Sequence, residues 1–175
     1  VLPELKLAFP ILFLNYISEK LGRTEQYKFF FRIHYFLVGL ILSITVINVL
    51  LFLLNGTSID KFFSPLEIEN FFLGFQYYSY LVTVYVFVIS IIETKRYKKV
   101  VQNEFTDIAM LEINWLWQFI FILLPVIVLW GIEIGRILLG GKGSSEIVTV
   151  LWGFIAVFIY FISYNAFKNP NLFEN

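Results

Sequence analysis

IHYFLVGLILSITVINVLLFLLNGTSI, residues 33–59, contains no Lys, Arg, Asp or Glu. A helix rising about 1.5 Å per residue needs roughly 20 residues to cross a bilayer core about 30 Å thick, so this run alone is long enough to span. Three further charge-free runs of at least 20 residues follow it, Asn70–Ile92, Ile113–Ile132 and Ile147–Phe167. Together they predict an all-α, polytopic transmembrane helix bundle forming one domain.

Composition agrees. Hydrophobic residues make up 59% of the 175 and the mean hydropathy is +0.79, against roughly 45–50% apolar residues in ordinary soluble domains. Thirteen basic and thirteen acidic residues cancel, which leaves no basic footprint for nucleic acid on this segment. The absence of cysteine excludes disulfides, thiolate metal sites and thiol nucleophiles.

The start of the chain is less apolar. Its charge-free run, Leu7–Ser18, is only 12 residues long and follows Lys6, a length typical of re-entrant, interfacial or buried helices. Glu4 and Pro10 spoil the layout of a signal peptide. We read this run as a fifth spanning helix, begun earlier and bent near Pro10, and the chain, which opens on Val1, as a fragment or processed product of a longer protein. The expected helices cover about 5–18, 35–54, 71–92, 113–138 and 147–167, with a kink in the fourth at Pro125.

Orientation follows from the cations. Lys20, Arg23, Lys28, Arg32, Lys95, Arg96, Lys98, Lys99 and Lys168 fall on one side of such a bundle, and Lys6, Lys61, Arg136 and Lys142 on the other. The positive-inside rule makes the nine-residue side cytoplasmic and brings the C-terminus out there. Trp115, Trp117, Trp130 and Trp152 lie at expected helix ends, the headgroup level that indole rings favour. The outer connections, 55–70 and 139–146, are too short to fold as receptor domains, and no internal repeat suggests a transporter's inverted halves.

Few residues suggest chemistry. Glu133 and Arg136 lie three apart near the outer end of the fourth helix, where ordinary pairing is favoured over a ligand or proton role. Gly131 and Gly135 bracket that glutamate with GxxxG spacing, which suits close helix packing. Asn48, deep in the second helix, calls for an interhelical hydrogen bond. Gln76 and Tyr80, with Tyr77, Tyr78, Ser79, Thr83 and Tyr85, could line a polar cavity, although an aromatic belt is the simpler reading. The cytoplasmic basic turn Lys95, Arg96, Lys98 and Lys99 is mainly topological and could also touch anionic headgroups. Tyr97, Val101, Phe105 and Ile108 recur at helical spacing, as in an amphipathic helix lying along that face. His34 stands alone without nearby acids, which makes no metal site. Catalytic triads, phosphate loops and paired carboxylates are missing from the runs, so neither an enzyme nor a cofactor is expected.

KRYKKVVQNEFTDIAMLEINWLWQF, residues 95–119, followed one hydrophobic hairpin later by FISYNAFKNPNLF, residues 161–173, resembles the multi-helix membrane region preceding an AraC-type helix-turn-helix domain in certain bacterial, Bacteroidetes-like regulators. Similar regions precede histidine kinase or LytTR-type output domains. Tyr97, Phe105, Thr106, Trp115 and Leu116 match the opening pattern; Ser163, Tyr164, Ala166, Lys168, Asn169, Pro170 and Phe173 match the closing one. FPILFLNYISEKLG, residues 9–22, is similar to the family's third helix and the loop after it. Ala109 and Ser163 depart from the family's usual Glu and Gly.

The resemblance implies a multi-pass protein of the bacterial inner membrane, a sensory or anchoring module for signal transduction and transcription regulation. Lys168, Asn169, Pro170 and Phe173 would form its output junction, and a downstream domain would contact DNA. The alternatives are a non-enzymatic subunit of a larger membrane complex and the membrane region of a sensor histidine kinase. The implied partners are the lipid bilayer and either a second copy or another membrane protein.

Overall fold

The computed structural model describes residues 3–101, 107–141 and 145–168, and all regular structure among them is helical. Five α-helices follow in order: α1 (Pro3–Lys20), α2 (Lys28–Asn55), α3 (Pro65–Val101), α4 (Asp107–Leu138) and α5 (Ser145–Lys168). Three described stretches are long and apolar enough to cross a membrane, Thr24–Asn55, Pro65–Lys99 and Leu116–Leu138. The chain divides into two compact units, Val1–Ser90 and Ile91–Asn175, with the division inside α3.

In the first unit α1 packs on α2. Leu7, Ile11, Leu14 and Ile17 are completely buried, at the steps of four and three residues that place side chains on one helical face. The opposite face, with Leu5, Phe9 and Leu12, is exposed yet equally apolar. Such a helix suits a lipid surrounding, where polarity does not separate inside from outside. α1 runs through Pro10 as continuous helix. It closes in a Schellman turn, in which the N–H of Gly22 donates to the Glu19 carbonyl (3.0 Å) and that of Arg23 to the Ser18 carbonyl (2.7 Å).

α2 buries only Phe31, His34 and Ile41. Apolar side chains cover most of its remaining surface, among them Leu42, Val46, Leu50 and Leu53. The start of α3 is set by sequence chemistry. The N–H and hydroxyl of Ser64 both donate to Glu67 Oε2 at 2.8 Å, and the N–H of Glu67 donates to Ser64 Oγ at 3.3 Å. This is a capping box with Pro65 at the first helical position, where its missing N–H costs nothing.

Within the second unit α4 packs on α5. Leu116, Ile120, Leu123, Ile127 and Ile134 form the buried face of α4. The helix passes through Pro125 without interruption. It ends in a second Schellman turn, with Gly140 at φ +80° and the Gly141 N–H donating to the Arg136 carbonyl at 2.9 Å. A Cβ on Gly141 would stand 2.9 Å from that carbonyl oxygen, so only glycine fits the close approach.

Two expectations need correction, and a third falls partly outside the described residues. First, the helices extend beyond the charge-free runs: α2 begins at Lys28, α3 covers Pro65–Val101 and α4 begins at Asp107. Charge limits the hydrocarbon span but not the helix, because Lys, Arg and Glu are good helix formers. Second, Lys95, Arg96, Lys98 and Lys99 are not a turn, since all four lie in the last turns of α3. Third, of the expected amphipathic segment, Tyr97 and Val101 belong to α3 and Ile108 to α4, while residues 102–106, with Phe105, lie outside the described residues.

Candidate functional site

His34, a polar group of the first unit with a partner at each ring nitrogen, is 8% exposed. It occupies the second turn of α2, so its ring faces the backbone carbonyl one turn earlier, and Nδ1 lies 2.7 Å from the Phe30 oxygen. A carbonyl can only accept, so Nδ1 carries the proton and donates. In the neutral ring Nε2 is then an acceptor, and the Tyr78 hydroxyl of α3 donates to it at 3.0 Å. Phe30 lies against the histidine ring, with centroids 3.9 Å apart, and against Tyr85 at 5.4 Å. The His34 and Tyr78 rings are nearly parallel, at 7°. Both ring nitrogens are thereby satisfied and α2 is fastened to α3. The arrangement presents Nε2 as an acceptor held against the Tyr78 hydroxyl.

The sequence singled out Asn48, Gln76, Tyr80, Glu133 and Arg136 as a candidate polar membrane site. Asn48, Gln76 and Tyr80 belong to one unit and Glu133 and Arg136 to the other. Among the described residues, Asn48 is bonded not to another long helix but to the connection that follows its own. Its Oδ1 accepts the backbone N–H of Ile59 at 2.8 Å, tying the connection after α2 back onto the helix. A chain leaving a helix must satisfy its own N–H groups, and an amide two turns from the end is within reach. Gln76 and Tyr80, four residues apart on α3, are half-buried. In the second unit Glu133 is buried and Arg136 is exposed. The space where a Cβ would sit on Gly135 is open, so that glycine is not the point of a close helix crossing. At the output junction, Lys168 ends α5, while Asn169, Pro170 and Phe173 lie outside the described residues.

Sequence reasoning set His34 aside because it has no acidic neighbours for metal binding. Its real partner is a tyrosine 44 residues away, and no sequence spacing reports that distance. The one local signal was Phe30 and His34 at i and i+4, a stacked pair on one helical face. No described group of three or more His, Cys, Asp or Glu side chains gathers to hold a metal.

The second polar feature is the basic end of α3. Ile92, Lys95, Arg96, Lys98 and Lys99 line an open cavity of about 430 Å³. Arg96 donates to Glu93 at 2.9 Å; the carboxylate is 2% exposed and the guanidinium 58%. One turn of helix thus anchors the arginine from below while its outer edge stays accessible. No family model, curated protein or solved structure matches the chain.

Proposed function

We propose that this chain is the membrane-embedded sensory or anchoring module of a bacterial signalling protein, of the kind that precedes an AraC-type helix-turn-helix domain. Five helices cross the inner membrane and the C-terminus emerges in the cytoplasm, where a shift of the helices passes through Lys168–Phe173 to an output domain. Three apolar helices joined by short connections support the membrane role. The signalling role rests on the resemblance carried by residues 95–119 and 161–173. A stimulus acts by favouring one helix arrangement over another through differential contacts. The structural observation that carries this reading is the set of three described stretches long and apolar enough to cross a membrane.

The deciding experiment is an intact mass of the native polypeptide with peptide mapping of its C-terminal side. Helix-turn-helix peptides following Asn175 are expected. A native chain of 20.6 kDa that copurifies with other membrane proteins would replace this reading with the complex-subunit one.

Orientation has its own test, made clean by the absence of cysteine. K61C is expected to react with a membrane-impermeant maleimide on intact spheroplasts, and K98C only after permeabilisation. The reverse pattern would invert the topology and place the junction outside.

A further inference from the structure

We propose that the end of α3 is a defined headgroup site for one anionic phospholipid. The 37 residues of α3 span about 55 Å, well beyond a hydrocarbon core of about 30 Å. Its charge-free part ends at Ile92, so the following turns stand at the headgroup level and not in the acyl chains.

Three features there fit a phospholipid. Ile92, the last residue of the charge-free part, lines the cavity beside the cations and offers an apolar surface to the start of an acyl chain. Beside it stand Lys95, Arg96, Lys98 and Lys99, four cations, with the Glu93 carboxylate bound to Arg96. That carboxylate is buried and bound to Arg96, which fixes the guanidinium in one orientation. A planar fork held in this way is preorganised for bidentate contact with phosphate oxygens. The lysines add charge at the C-terminal end of a helix, where the macrodipole also favours cations. Diffuse attraction of a basic flank to a charged surface needs neither an apolar lining residue nor the held guanidinium. The site requires α3 to cross the bilayer but not the signalling role, so either can fail alone.

The full-length chain is reconstituted into nanodiscs of phosphatidylcholine and phosphatidylglycerol at equal mole fractions, and retained lipid is counted by native mass spectrometry. One phosphatidylglycerol per chain is expected, in excess over phosphatidylcholine. Each basic residue contributes about 1 kcal/mol near an anionic surface, which corresponds to roughly fivefold in affinity. The excess should therefore fall about fivefold with each of K95Q, K98Q and K99Q, and K95R/K98R/K99R should keep it. The matched charge loss K20Q/R23Q/K28Q should leave it unchanged; an equal fall there would mean diffuse attraction and overturn the site. Inorganic phosphate at millimolar concentration should not displace the lipid. Displacement by it, or equal retention of both lipids by the unmodified chain, would likewise sink the proposal.

Discussion

Leu14→Ala lowers the stability of the folded chain by on the order of 2 kcal/mol, whereas Leu42→Ala leaves it within about 0.5 kcal/mol. Both residues are leucines in apolar helices, and only their surroundings differ: Leu14 of α1 is completely buried, and Leu42 of α2 is 48% exposed. In a water-soluble core the Leu→Ala change costs about 2–5 kcal/mol, partly for lost transfer from water and partly for the cavity left behind. In a bilayer the transfer part largely vanishes, because lipid is as apolar as leucine. The cavity part remains wherever protein surrounds the side chain on all sides, and a lipid tail fills the gap wherever it does not. The loss is read from unfolding in mixed micelles with increasing sodium dodecyl sulfate. Equal losses for the two variants would show that α1 is no more enclosed than α2.

That contrast marks how far the sequence could be read. The charge-free runs located the apolar helices because a bilayer imposes length and polarity directly. They did not rank the helices by burial. The shortest run, 7–18, supplies four completely buried apolar side chains, Leu7, Ile11, Leu14 and Ile17, whereas the candidate span of highest hydropathy, Thr24–Asn55, is the least buried of the three. Hydropathy measures affinity for a nonpolar surrounding, and lipid and protein interior satisfy it equally. The helix ends were misplaced for the complementary reason: a helix continues past the hydrocarbon boundary as long as its residues favour helix, as they do through Glu93–Lys99.

The polar residues divide along the same line. Ser64 and Glu67 form a capping box because partners three residues apart in sequence are neighbours in space. Asn48 and His34 find partners set by tertiary placement, Ile59 across a connection and Tyr78 across two helices. Residue type said that each needed a partner and could not say which. Glu133 and Arg136, three residues apart on α4, differ in burial, the glutamate buried and the arginine exposed, a difference that their spacing did not announce.

Tyr78→Phe is expected to cost about 1–2 kcal/mol, more than the loss of one hydrogen bond between membrane helices, which averages about 0.6 kcal/mol. The excess comes from what stays behind. His34 is 8% exposed and its Nδ1–H is committed to the Phe30 carbonyl. Removing the tyrosine hydroxyl leaves Nε2 buried with a lone pair and no donor, and an unsatisfied buried acceptor costs about 1–3 kcal/mol. His34→Phe in the Tyr78→Phe background should therefore cost less than His34→Phe alone, because the tyrosine's partner has already gone. A double-mutant cycle by the same unfolding assay should give a coupling near 1 kcal/mol. Additive losses would mean that the two side chains do not act on each other. The ¹⁵N shifts of the single histidine provide a readout independent of stability: the unmodified chain should hold the Nδ1–H tautomer. An Nε2–H tautomer would break the Phe30 bond, reverse the Tyr78 bond and remove the acceptor on which the expected coupling rests.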